Sequence, residues 1–566
     1  MASSNPPSAA GIGPDPPAAT AVLAHFRDRI AAAPDDPALW ARFAWTLGAS
    51  RAIEEVPVAT ADEVLTRALA HPAVDPAALP SALRAHLRRL PVLGPWLREA
   101  DRLADPPPLP GAVAEAAASN RPVRRVLAEL LFPDPAFDRL VGALRRHLLL
   151  EPTPSLAADV SLAVEVALAC HRGDYPHPMG ADERGEVERW VERGAEAWME
   201  APGAEARLAI LAAYRPLGEW PWAGDLEARV VAGGSPALRP LVDRQLREPR
   251  REAELGRTLP RLRRAAASDH PVRTFYEAHP YPRWARLGFR EPLRLPARIE
   301  VELMGRRPSG LPDPARPEVL VAGCGTGLHP LAVRAGLRDA AVTAIDVSLS
   351  SLAYASRKAE ELGLTDVDFL QADLLECPAW GRQFDVVESV GVLHHLEDPA
   401  AGFEALAGRL RAGGLLKVGV YSRRGRAPMD RARALLAERG LIPSHGIAGP
   451  DRVRAARETL LPLLRNDPGL RPLLEVRDLY ALSSFRDLLL HPLETAFDLQ
   501  GIGTLLRSNG LRFLGFAELP RSTLAAFRAR FPEPEAETDL GAWDAFEAER
   551  PSTFLGMYRF WCQRPG

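Results

Sequence analysis

The chain has 566 residues, a net charge of −3 and 47% apolar residues. A chain of this length buries on the order of two to four domain cores, and it lacks the basic field of a nucleic-acid binder. No apolar run reaches the about 18 residues of a membrane span. Four cysteines without C-x-x-C spacing (Cys170, Cys324, Cys377 and Cys562) predict neither a disulfide frame nor a zinc site, so no metal is expected.

Residues 1–20 are mostly Pro, Ala, Ser and Gly, without a basic or an apolar region, and predict a disordered tail rather than a signal peptide. The cytoplasm is the expected compartment. Residues 21–267 read as an all-α domain, a solenoid or bundle, with amphipathic pieces separated by prolines. The pieces are Ala21–Ala33, Pro37–Gly48, Leu79–Leu90, Arg121–Leu131, Ala136–Leu150, Ala157–His171, Glu186–Trp198 and Glu205–Tyr214. Trp40 to Gly48 is faintly similar to a tetratricopeptide helix, although no sustained repeat follows it. Such a domain either docks a protein partner or braces the rest of the chain. Arg244 to Arg264 holds eight arginines against Glu248, Glu252 and Glu254, the pattern of a solvated helix face.

Residues 268–300 form an aromatic, proline-containing junction. In Val272 to Trp284, Pro280 and Pro282 predict an extended chain, and its four aromatics predict packing rather than a loose linker. Val319 to Val321 then reads as a strand buried on both faces. It runs into Ala322-Gly323-Cys324-Gly325-Thr326-Gly327, where glycines at every second position open backbone conformations closed to other residues. The helix that follows, Pro330 to Gly336, turns its free N–H groups toward that bend. A dinucleotide fingerprint needs glycine at position 328, and Leu328 stands there.

Ala341 to Asp346 is a second strand ending in an acid, 19 residues beyond Gly327, where a doubly wound fold holds ribose hydroxyls. A helix from Ser350 to Leu362 follows, closed by Gly363. Val367 to Asp373 gives a third strand with a second terminal acid. Phe384 to Val390 gives a fourth, leading into Leu393-His394-His395-Leu396-Glu397-Asp398-Pro399. A helix from Phe403 to Leu410, a turn at Gly413-Gly414 and a fifth strand from Leu415 to Tyr421 complete the series. This alternation is that of a parallel α/β sheet. Residues 422–509 form a helical insertion with pieces Pro428–Arg439, Asp451–Leu464, Arg471–Leu490 and Asp498–Ser508. It leaves the carboxyl edge of the sheet, so it is expected to be the acceptor-site lid. Leu511–Phe516 and Phe554–Cys562 read as the sixth and seventh strands.

The G-x-G-x-G turn, the strand-end acids and the V-L-H-H-x-x-D-P run resemble class I S-adenosylmethionine-dependent methyltransferases. Tyr276-Glu277-Ala278-His279-Pro280-Tyr281-Pro282-Arg283-Trp284 is similar to the "YEENPYPRW" signature of large bacterial methyltransferases with helical, tetratricopeptide-type N-terminal regions, with Ala278-His279 in place of Glu-Asn. Ser484 to His491 and Gly510 to Phe516 resemble the same group. The resemblance implies a Rossmann-like sheet of order 3-2-1-4-5-7-6 in residues 301–421 and 510–566, with the seventh strand antiparallel. It also implies S-adenosyl-L-methionine as cofactor, with Ala372-Asp373 bordering the adenine. The expected cofactor residues are Ala322, Gly323, Cys324, Gly325, Thr326, Gly327, Asp346, Val347, Ala372, Asp373, Ser389 and Val390. Many class I enzymes carry an acid two residues before the first glycine. Val321 stands there, so the contact such an acid supports must come from elsewhere.

Methyl transfer from a sulfonium needs positioning, desolvation and sometimes a base. His394, His395 and Tyr421 are the candidate catalytic groups, and Tyr281, Trp284, Arg486 and His491 the candidate acceptor contacts. His329 either meets the cofactor carboxylate or faces solvent. The acceptor itself, whether small molecule, protein or RNA, is not specified by these residues. The rival expectations are a helical scaffold with a cofactor-binding but weakly catalytic domain, and a nicotinamide oxidoreductase, which Leu328 argues against.

Overall fold

The structure, a computed structural model, describes residues 19–103, 105–192, 203–220, 222–231, 235–262, 271–443 and 446–566. The expected tail at 1–20 lies almost wholly outside the described residues, as do the end of Glu186–Trp198 and the residues just before the junction.

The N-terminal half is helical from Ala19–Ala32 to Glu248–Thr258, around a core that includes Trp40, Phe43, Leu83, Phe137, Leu144 and Leu211. Its helices start where side chains cap them. Asp36 accepts from Ala38 and Leu39 N–H ahead of Pro37–Ala49, and Asp134 from Phe137 N–H ahead of Pro135–Leu150. The arginines of Glu248–Thr258 lie largely in solvent, Arg250 and Arg251 being 61% and 47% exposed, while Glu248 and Glu252 pair with Arg357 at 3.1 and 2.8 Å and set the helix on Leu349–Leu362.

Seven strands form one sheet: β1 Glu318–Ala322, β2 Ala341–Asp346, β3 Val367–Gln371, β4 Phe384–Val390, β5 Leu410–Tyr421, β6 Arg512–Phe516 and β7 Met557–Gln563. Their order is β3-β2-β1-β4-β5-β7-β6. β7 runs antiparallel to β5 and β6, and the other pairings are parallel. Alternate residues of β1 enter different cores, Leu320 with Val387, Leu416 and Phe516 on one face, Val319 and Val321 with Val386 and Trp561 on the other. β5 begins at Leu410, before the expected turn, because a register shift between Phe384 and Val386 carries Gly413-Gly414 inside the strand. The preceding helix is Pro399–Ala407, set by Asp398 accepting from Ala400 and Ala401 N–H.

Two further departures concern the site. The junction starts as a helix, Pro271–Ala278, and is extended only beyond it, because Pro271 opens the helix and Pro280 and Pro282 fall after its end. The expected Arg471–Leu490 helix is broken into Arg471–Glu475, Arg477–Tyr480 and Leu482–Leu490. Tyr480 Oη takes the Leu474 carbonyl at 2.6 Å and Arg457 Nε takes that of Leu479 at 2.7 Å, acceptors that a continuous helix would use.

The insertion has its own core, with Leu436, Val453, Leu460, Phe485 and Leu489. It is wedged against the N-terminal half. Arg457 pairs with buried Asp138 at 2.7 Å, Ser483 N–H donates to Asp174 at 3.1 Å, and Arg454 Nε donates to the Tyr175 carbonyl at 2.9 Å.

Candidate active site

The glycine bend is fixed by its neighbours. Gly323 and Cys324 N–H both donate to the Ile345 carbonyl, at 2.8 and 2.9 Å, which stitches the end of β1 to β2. Gly323, Gly325 and Gly327 have φ of 72°, 53° and 86°. A Cβ on Gly323 would lie 2.3 Å from Val392 Cγ2, and one on Gly327 2.5 Å from Ala355 Cβ. Glycine is therefore required at both positions by backbone sign and by packing. Gly327 leads into Leu328–Gly336 without a side-chain cap, so the first N–H groups of that helix remain available at the bend.

Asp346 closes the bend from β2. Its Oδ2 accepts from Gly325 N–H at 2.8 Å and its Oδ1 from Ser348 N–H at 2.9 Å. Burial pushes its pKa up to about 6, partly offset by the Ser348 and Gly325 donors. Asp346 is thus an anchor of the bend as well as the acid that ends β2. Ala372 N–H donates to the Asp346 carbonyl at 3.0 Å, and Gln371 Nε2 to that of Val347 at 2.9 Å, so the tip of β3 joins the same cluster. Asp373 caps Leu374–Trp380 through Leu375 N–H at 2.9 Å. Ser389, at the end of β4, is buried with its hydroxyl unpartnered.

A buried acid lies beside Val321, on β4. Glu388 pairs in register with Val321. It lies 2.7 Å from Arg298 and 2.8 Å from His329 Nε2, so His329 meets an acid of the sheet rather than solvent alone. Burial would raise the Glu388 pKa, but Arg298, then His329, more than offset it and hold the carboxyl well below its usual range. Arg298 goes on to Glu302 at 2.9 Å. Glu302 meets Lys417 at 2.7 Å, and Lys417 meets Glu518 at 2.8 Å. Sequence reasoning missed Glu388, although an acid in the middle of the strand 384–390, directly after Val386-Val387, was its signal.

The junction clasps three elements. Glu277 accepts from Leu349 N–H at 2.7 Å and Ser350 N–H at 3.3 Å at the start of the helix after β2. Trp284 Nε1 donates to the Thr326 carbonyl at 3.0 Å, and Thr326 Oγ1 donates to that of Pro282. Tyr354 Oη donates to the Trp284 carbonyl at 2.7 Å, and Lys358 to that of Ala285 at 2.7 Å. Tyr276 and Tyr281 reach the insertion, donating to Asp487 at 2.6 Å and Asp478 at 2.8 Å. The peptide between Tyr281 and Pro282 is cis. Of the junction residues, Glu277 and Tyr276 were not among the expected site residues.

A ring cluster occupies the carboxyl ends of β4 and β5. His394 stacks on Tyr421 with centroids 3.7 Å apart and lies 4.3 Å from His395, which lies 3.8 Å from His491 of the insertion. Burial holds His394 well below its usual pKa and lowers His395 to about 4 and His491 to about 3. All three are neutral at pH 7 and, as bases, weak. Burial raises the Tyr421 phenol, keeping it protonated. Arg486 is buried apart from this cluster, its Nε donating to the Ala448 carbonyl at 3.0 Å.

The sheet order, with β7 antiparallel, is that of a Rossmann-like fold of the class I methyltransferase type. Residues 319–414 match the family model described as a methyltransferase domain. The chain is 35% identical over 215 residues to the uncharacterized protein syc1184_c of Synechococcus sp. (strain ATCC 27144 / PCC 6301 / SAUG 1402/1), covering 37% of this chain and 51% of that protein. It is 36% identical over 107 residues to the ubiquinone biosynthesis O-methyltransferase of Marinobacter nauticus, 18% of this chain and 44% of that one. It thus spans about half the length of the curated relatives it matches. Among solved structures it is similar to PKMT2 from Rickettsia typhi in complex with AdoHcy, at 17% identity, 50% and 54% coverage and a TM-score of 0.36. The residues present suit S-adenosylmethionine: uncapped helix N–H groups beside the bend for its carboxylate, and a carboxylate at the end of β2 for its ribose. Among the described residues no helix is long and apolar enough to cross a membrane.

Proposed function

We propose that the chain transfers the methyl group of S-adenosylmethionine to a small acceptor held between the insertion and the carboxyl ends of β4 and β5. The observation that supports this most is the enclosed ring cluster, in which His394, His395, Tyr421 and His491 are all buried beneath the insertion. A folded protein or an RNA chain does not reach rings buried in this way without displacing the insertion. Two relatives point the same way by name, the ubiquinone biosynthesis O-methyltransferase and a 27-O-demethylrifamycin SV methyltransferase.

When bound, the cofactor supplies a methyl group on a sulfonium with its leaving group already in place. Ala322 to Gly327 and the start of Leu328–Gly336 cradle it, Asp346 with Val347 holds the ribose, and Ala372, Asp373, Ser389 and Val390 border the base. Glu388 orients His329 at the edge of the bend. Tyr421, His394 and His395 face the acceptor, exclude water and position the reacting atom. The neutral imidazoles accept a proton only weakly, so desolvation and alignment carry most of the rate. Tyr281 and Trp284 position the bend and the insertion, and Arg486 shapes the insertion from within. The N-terminal helices brace the insertion and junction.

The test is labelling of cell extract with radioactive cofactor and the purified chain, followed by sizing of the product. Label in the low-molecular-mass fraction is the expected result. Label in protein or RNA overturns the small acceptor, and cofactor binding without any labelled product favours a scaffold.

A further inference from the structure

The ring cluster contains a group of ligands that the glycine bend and its cofactor do not use. One nitrogen each of His395 and His491 and one carboxylate oxygen of Asp487 lie within 4.8 Å of one another, and all three residues are buried. His395 comes from the end of β4 and the other two from the insertion, about 90 residues on.

Each of these side chains is held from behind. His395 Nδ1 lies 2.9 Å, and His491 Nδ1 2.7 Å, from the same carbonyl, that of Leu493. A carbonyl only accepts, so His395 Nδ1 carries the proton and its Nε2 presents a lone pair. His491 Nδ1 also lies 3.2 Å from the Leu493 N–H; the shorter contact, 2.7 Å to the carbonyl, is the one that puts the proton on Nδ1 and leaves the lone pair on Nε2. Asp487 accepts from Tyr276 Oη at 2.6 Å. A backbone carbonyl behind each imidazole and a donor behind the carboxylate is the outer-shell arrangement that orients metal ligands. His491 Nε2 is buried without a hydrogen-bond partner, on a residue only 1% exposed. An unpaired buried polar atom of this kind costs about 1–3 kcal/mol. His394, 4.3 Å away, has neither ring nitrogen partnered.

We propose that His395 Nε2, His491 Nε2 and an Asp487 carboxylate oxygen form a binding site for a first-row divalent metal ion. Two imidazoles and one carboxylate suit Zn²⁺, Co²⁺, Ni²⁺ or Fe²⁺ and not Mg²⁺ or Ca²⁺, which prefer all-oxygen shells. Tetrahedral zinc at about 2.1 Å from each ligand sets the ligand atoms about 3.4 Å apart, so the three atoms draw together on binding. Three protein ligands leave an open position, as in catalytic rather than structural sites. The sequence conceals the site because its ligands share no short motif. The proposal stands on the geometry of the insertion and does not require the chain to transfer methyl groups.

The test uses the full chain, stripped with a chelator and dialysed. Zn²⁺ binding is followed by calorimetry, and Co²⁺ binding by its visible d–d absorption. One equivalent of either ion is expected, with Co²⁺ bands of a low-coordinate site and no comparable binding of Mg²⁺. His395→Gln and His491→Gln should each weaken Zn²⁺ binding by more than about 100-fold, since loss of even an outer-shell partner costs 10–100-fold. Circular dichroism reports whether each variant is folded, and His71→Gln, outside the cluster, should leave binding unchanged. If a variant does not fold, Tyr276→Phe substitutes for it, with an expected weakening of about 10-fold or more. Less than stoichiometric binding by the unmodified chain overturns the proposal, as does binding that folded cluster variants retain. S-adenosylhomocysteine titrated into the same stripped protein reports the cofactor site separately.

Discussion

Lowering the pH through 6 should release the cofactor, and Asp346 should be the cause. Burial raises this carboxyl to about 6 against the Gly325 and Ser348 donors that favour its charged form. The unfolded value is about 3.9. Between those two values the native state binds a proton that the unfolded chain does not. The charged carboxylate therefore costs about 3 kcal/mol of stability at pH 7, a cost relieved as the pH falls toward about 4. Ribose hydroxyls donate to the charged form, so binding must expel the proton wherever Asp346 carries one. Below about pH 6 the dissociation constant of S-adenosylhomocysteine should then rise about tenfold per pH unit, or about 1.4 kcal/mol. The α-amino and α-carboxyl groups of the ligand titrate outside this window. Calorimetric titration from about pH 5 to about pH 8 measures the slope. Asp346→Asn, which cannot titrate and turns one acceptor into a donor, should bind about tenfold or more weakly at pH 7 and show no slope. A flat profile for the unmodified chain, or the same slope in the variant, refutes the reasoning.

Three further changes test the scaffold of the site. Gly327→Ala sets a methyl group 2.5 Å from Ala355 Cβ at a φ of 86°, and overpacking with backbone strain should cost about 2–5 kcal/mol in urea denaturation; a loss under about 1 kcal/mol would contradict the packing described. Glu388→Gln leaves Arg298 facing Glu302 alone, and breaking this buried pair should cost about 3–5 kcal/mol; an unchanged denaturation midpoint would show that the pair contributes nothing. Trp284→Phe removes one hydrogen bond to the Thr326 carbonyl. It should lower stability by about 1 kcal/mol and weaken S-adenosylhomocysteine binding measurably, whereas unaltered cofactor affinity would separate the junction from the bend.

Much of the nucleotide half was legible because its signals are local. Alternation of apolar runs with helices gave the strands, and the acid closing β2 was visible as a strand-end residue. What was not legible depends on contacts between distant segments. Glu388 lies across a strand pair from Val321, and only the register of β1 to β4 brings the two together. Tyr276 and Glu277 read as parts of an extended, packed segment. Their roles follow from a helix, Pro271–Ala278, that aims one at Asp487 and the other at Leu349 N–H. The broken helix at 471–490 reflects carbonyls captured by Tyr480 and Arg457, and the Arg457 side chain that does so lies in another helix. The His394, His395 and Tyr421 positions were read from strand ends. Their neutrality was not, because it comes from burial beneath the insertion.

The segment from Tyr276 to Trp284 grips the bend with one end and the insertion with the other, and the insertion leans on Asp138 and Asp174 of the helical half. Thermodynamic linkage makes such a grip mutual: any factor by which the seating of the helices tightens the ligand must equal the factor by which the ligand tightens that seating. Severing the chain ahead of residue 290 would remove both halves of the bargain at once, so the nucleotide fold and the helices are to be purified, assayed and evolved as one thermodynamic unit.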